Sequence, residues 1–190
     1  MHALPPSLRL KHALEVPVLE LPDGRVIAQT AAIRSFVAKV GGLDLADPYL
    51  QAKVDELCCH IEEARMQIPL ALAAAKPKND DERRVAKAGV VGENGKLLPY
   101  LAKWEDLVAT RKQTYLFTAD KPTQADIYLY STINNFNCGF HDGIPAGFVS
   151  AKYPNLRQFR SQIALVIVFS PPPPCCFVHS DTQAKQSCLG

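Results

Sequence analysis

Three clusters in this 190-residue chain carry residue types that could do chemistry. Gln29-Thr30 stands just ahead of an apolar repeat, which puts Thr30 at the start of a helix. A hydroxyl and the free amides of a helix's first turn suit a carboxylate, helped by the helix dipole. The plainer alternative is that Thr30 only caps its helix and Gln29 ends a solvated strand. Thr123-Gln124-Ala125-Asp126 has the spacing of a capping box, which assigns Thr123 and Asp126 to folding rather than to chemistry. Cys175-Cys176-x-x-His179 with Cys188 has zinc-ligand residue types but no second ligand pair at finger spacing. No metal is expected there; a disordered tail is.

The elements that must position these residues are legible from period and punctuation. Residues 16–21 (Val-Pro-Val-Leu-Glu-Leu) are strand-forming, and Pro22-Asp23-Gly24 turns the chain into a second strand over 25–28. Pro17 cannot donate to a ladder, so it should open its strand. Ile33, Phe36, Val37 and Val40 then form a helical stripe that Gly41-Gly42 stops. Asp47-Pro48 opens a long helix with Leu50, Val54, Leu57, Ile61 and Ile68 on one stripe, and Pro69 must kink or end it. Asn79-Asp80-Asp81-Glu82 puts acids in a new first turn. Gly89, Gly92 and Gly95 predict a break, and Leu97 to Val108 resume a helical period. The capping box opens another helix, residues 139–152 read as loop, and a last helix starts at Tyr153-Pro154 and runs to about Val166. The expected fold is α+β and mostly α: a hairpin and one helix, then an all-α domain of four or five helices.

Composition narrows the class. Apolar residues make up 47% and charged residues 21%, ordinary for a globular chain that buries a core, and the net charge is only +2. Lys76, Lys78, Arg83, Arg84 and Lys87 are interrupted by Asp80, Asp81 and Glu82, which describes a solvated helix face rather than a nucleic-acid surface. The longest apolar run, residues 163–169, is too short for a membrane span. With no signal-peptide pattern and no framework spacing among the six cysteines, a cytoplasmic protein with free thiols is expected, without nucleic-acid or membrane partners.

Three motifs in order resemble the cytosolic glutathione transferases, most nearly the sigma class. Val16-Pro17-Val18-Leu19 matches V-P-x-L; Gln29-Thr30-Ala31-Ala32-Ile33-Arg34-Ser35-Phe36 is similar to Q-S-x-A-I-x-x-Y/F. Residues 118–126, ending in Thr123-Gln124-Ala125-Asp126, resemble V-G-D-x-x-T/S-x-A-D. The likeness spans about residues 7–163. It implies a partial thioredoxin-like glutathione-binding domain over 1–42, an all-α domain over 47–169 and a tail over 170–190. It also implies a homodimer that joins glutathione to a small hydrophobic electrophile, or a related glutathione-dependent isomerase.

The resemblance further implies site roles. The Val16 backbone, freed by a cis bond to Pro17, would pair with the cysteinyl part of glutathione. Thr30, where the family has Ser, and Gln29 would hold its γ-glutamyl end. Glu63, where the family has Asp, would reach the ligand's amine from the partner subunit, and Arg9 or Lys11 would meet its glycyl carboxylate. Trp104, Tyr128, Tyr130 and Phe136 are assigned to the core. In the family a Tyr, Ser or Cys in an earlier strand–helix turn stabilises the glutathione thiolate. The fifteen residues before Val16 contain Ser7 but no Tyr or Cys, and are too few for a β-α-β unit. The chain as written is therefore expected to lack that residue, with both ends anomalies of the gene model or transcript. A catalytically silent binding or assembly module is the competing expectation.

Overall fold

The computed structural model describes residues 17–169; Arg9, Lys11, Val16 and the expected tail over 170–190 lie outside them. Strand β1 (Val18–Glu20) pairs antiparallel with β2 (Val26–Ala28), in the register Val18 to Ala28, Leu19 to Ile27 and Glu20 to Val26. The first strand is shorter than its sequence suggests. Pro17 has no N–H to offer, and Leu21 already turns, its carbonyl accepting from the Gly24 amide at 2.8 Å. Gly24 takes φ 79°, which a side chain would resist, and so lets Arg25 return opposite Leu21.

Helix α1 (Thr30–Val40) follows directly. Its inward side is not the stripe expected from the sequence. Ala38 is buried and Ile33 and Phe36 are half-buried, while Val37 and Val40 face solvent. α1 packs against both hairpin strands and α6 (Gln124–Asn137), and these neighbours, not its own apolar count, decide which side turns inward.

After Asp47 come α2 (Pro48–Arg65), α3 (Gln67–Ala75), α4 (Asp80–Gly89), α5 (Leu98–Thr110), then α6, α7 (Phe148–Lys152) and α8 (Pro154–Phe169). These are seven helices among the described residues, where four or five were expected. Pro69 accounts for one: its ring conflicts with the carbonyl four residues back, that of Arg65, and α2 ends there. The glycines after α4 separate it from α5. Within 139–152, read as loop, Phe148–Lys152 forms a short helix that the sequence analysis missed. Leu50, expected in the core stripe of α2, is 39% exposed.

Two helix starts are fixed by side-chain caps, as their sequences predict. Asp47 accepts from the amides of Tyr49 (2.8 Å) and Leu50 (3.0 Å), and Asn79 from that of Glu82 (2.9 Å). The core lies among α2, α5, α6 and α8, with Val54, Ile61, Leu101, Trp104, Leu129, Phe136, Phe159 and Ile163 all buried. Two polar contacts lock it. Trp104 Nε1 donates to His60 Nδ1 at 3.0 Å. The Glu105 carboxylate caps α8 from outside, accepting from the amides of Asn155 and Leu156 and from Asn155 Nδ2, each at 2.8 Å. Gly143 (φ 91°) lets its loop meet α4; a Cβ there would sit 2.3 Å from the Arg84 carbonyl oxygen.

Candidate functional site

The hairpin register ends at the pair Val18 and Ala28, and Pro17 and Gln29 are the next residues out on its two strands. Pro17, Gln29 and Thr30 therefore meet at one end of the hairpin, and all three are exposed. The backbone at Gln29 is unusual: φ 74° and ψ 120°, a region that a non-glycine residue occupies at a cost of about 1–3 kcal/mol. Gln29, rather than Thr30 as expected, is the residue flanking the helix, and Thr30 is the first helical one. The Gln29 side chain makes no capping bond, and the first backbone bond into α1 runs from Ile33 N to Gln29 O at 3.0 Å. The amides of Thr30, Ala31 and Ala32 have no acceptor within the helix, and these residues are exposed. The arrangement presents a row of donors at the positive end of a helix dipole.

The other expected pair, Thr123 and Asp126, is fully buried. Asp126 Oδ2 accepts from Thr123 N (2.8 Å) and Thr123 Oγ1 (2.7 Å), and Oδ1 accepts from Leu116 N at 2.9 Å. The capping box is complete. Its carboxylate also ties down the loop ahead of α6, a contact that the four-residue spacing does not contain. With these acceptors engaged and no solvent access, the pair has no free valence for chemistry.

Glu63 is exposed on α2, and its backbone carbonyl accepts from Gln67 Nε2 at 3.0 Å. No hydrogen bond or ion pair joins its side chain to the α1 terminus among the described residues. Trp104, Tyr128 and Phe136 are buried as expected, and Tyr130 is partly buried against the core.

A cluster that the sequence analysis did not single out joins α1, α2 and α6. The Tyr128 hydroxyl donates to the Glu62 carboxylate and accepts from Arg65 Nη1 at 3.0 Å. The Arg34 guanidinium lies over the Tyr128 ring, 4.3 Å from its centre, and Arg65 lies 5.5 Å from it. Burial, together with the bond to Glu62, pushes the Tyr128 phenol above its ordinary pKa, so it stays protonated. Burial also pushes the Cys58 thiol up to about 11, which leaves it a packing residue rather than a thiolate. No three His, Cys, Asp or Glu side chains are grouped to hold a metal ion among the described residues, and no helix there is long and apolar enough to cross a membrane.

Residues 69–165 match the family described as Glutathione S-transferase, C-terminal domain. The chain belongs to that family. A curated relative, a "Glutathione S-transferase" of Anopheles gambiae, is 28% identical over 123 residues, 65% of this chain and 57% of the relative. The chain thus spans little more than half the length of that relative. Among solved structures it is similar to monomeric Na-GST-3, a glutathione S-transferase of the hookworm Necator americanus. That match has 22% identity, a TM-score of 0.58, and covers 85% of this chain and 77% of the other. It is also similar to maleylpyruvate isomerase from Pseudomonas aeruginosa, with 20% identity, a TM-score of 0.56, and 77% and 74% covered. At such identities the likeness shows the fold: a partial thioredoxin-like start followed by an all-α glutathione transferase domain.

Proposed function

We propose that this chain binds glutathione at the open end of its hairpin and serves glutathione transfer to small apolar electrophiles, or a related glutathione-dependent isomerisation. The observation that carries the proposal is the strained backbone of Gln29 beside an uncapped, exposed first turn of α1. Strain of this kind persists where the surroundings over-determine it and is concentrated at ligand-binding positions. The γ-glutamyl carboxylate of glutathione would take the Thr30 hydroxyl and the first-turn amides, with Gln29 at the same end. The backbone of Val16 beside Pro17 would pair with the cysteinyl part, and Arg9 or Lys11 would meet the glycyl carboxylate. In a homodimer, Glu63 of the partner subunit would reach the ligand's amine. Residues 1–42 would form the glutathione-binding unit and 47–169 the helical one, in a sigma-like, cytoplasmic protein. In the conjugation, the glutathione thiol gives its proton to solvent, its sulfur forms a bond to the electrophilic carbon, and the leaving group departs with the bonding pair.

The test is retention of the full chain on immobilised glutathione, followed by assay with 1-chloro-2,4-dinitrobenzene, whose chloride is displaced. Retention with turnover supports the transferase. Retention without turnover selects a catalytically silent binding module. Failure of the folded chain to be retained rejects the glutathione site.

A further inference from the structure

We propose that Tyr128 is a positioning residue for the candidate glutathione site, acting through Arg34 of α1; the proposal rests on the glutathione reading above. Thr30, Arg34 and Ala38 are spaced four residues apart and share one face of α1. Ala38 anchors the far end of that face in the interior, and Thr30 stands at the open end. Between them, Arg34 lies over the Tyr128 ring at 4.3 Å, well within the range of a cation–π contact. Arg34 Nε is shielded from solvent and has no hydrogen-bond partner among the described residues. The ring face is thus the named contact that holds this side chain.

Tyr128 makes a firm platform. Its ring is buried in the core, which fixes where it stands, and its hydroxyl bonds to Glu62 and Arg65, both on α2, add stability. Because α1 joins the helical body at α6, the ring sets the tilt of α1 one turn, about 6 Å, from the donors at Thr30. Donors at the α1 terminus and the backbone edge beside Pro17 must converge on one ligand. A tilt of α1 would spread them, and the cost would fall on affinity, since preorganisation is lost.

The experiment uses the full chain and glutathione itself, with the dissociation constant read by calorimetry and the α1 amides by hydrogen exchange. Tyr128→Leu and Arg34→Met should each weaken glutathione about fivefold, the size expected for one partly desolvated cation–π contact. Amides 34–40 should exchange faster in both. Tyr128→Phe keeps the ring and loses the hydroxyl bonds, so it should melt lower yet bind within about twofold of the parent. That rescue separates positioning from general loss of stability. Parent-like binding by Arg34→Met, or a Tyr128→Phe variant as weak as Tyr128→Leu, overturns the proposal. If the parent chain does not bind glutathione, the function reading fails. The positioning role falls with it, and faster exchange in Arg34→Met then shows only that the Arg34–Tyr128 contact holds α1.

Discussion

Two helix N-termini in this protein are built from nearly the same residues and do opposite things. At α6, Thr123 is buried and its hydroxyl and amide are both bound by Asp126. At α1, Thr30 is exposed, the residue before it is strained, and the first-turn amides have no acceptor within the helix and no side-chain cap from Gln29. The difference lies four residues into each motif. Thr123 stands just before its helix, and Asp126, three residues on, folds back onto it; Gln29 stands just before α1, and three residues on is Ala32, which has no acceptor to offer. A satisfied terminus in the core stabilises the fold, whereas an unsatisfied one at the surface keeps its donors available for a ligand.

The largest effect should come from breaking the closed terminus. Asp126→Ala removes the acceptor of three bonds and leaves buried donors unpaired, which should cost on the order of 3 kcal/mol in urea unfolding. Glutathione affinity of the folded fraction should be unchanged. Next, the two threonines can be compared directly. Thr123→Ala should lower stability by about 1–2 kcal/mol, in the range of a lost cap. Thr30→Ala, at an exposed position, should stay within about 0.5 kcal/mol of the parent while weakening retention on glutathione. Equal stability losses in the pair would remove the distinction drawn between them.

A smaller change sharpens the contrast from the other side. Gln29→Gly relieves a positive φ but adds chain entropy to the unfolded state, so a net gain of about 0.5 kcal/mol is expected, with weaker glutathione binding. A clear loss of stability would show that the strain is not stored at Gln29.

The mildest effect leaves both termini alone. Burial holds the His60 pKa below its ordinary value of 6.5, and its Nδ1 accepts from Trp104. The folded state resists a proton that the unfolded state accepts, so this contribution is present above about pH 6.5 and declines as pH falls through and below it. Burial shifts His141 in the same direction. Trp104 is the chain's single tryptophan, so its fluorescence should report the acid loss; His60→Gln, whose amide oxygen can still accept, should reduce it to the part due to His141.

Much of this protein is determined locally. The turn at Asp23-Gly24, the caps at Asp47 and Asn79 and the capping box depend on residues within four positions of one another, and local chemistry decides such features. Other properties depend on partners far along the chain. Which side of α1 turns inward, why Leu50 faces solvent, how Glu105 caps α8 and how Arg34 meets Tyr128 across 94 positions were settled only when the helices packed. Sequence period shows that a helix has an apolar side. The neighbour that covers it chooses the rotation, and with it the direction in which the donors of Thr30 are presented.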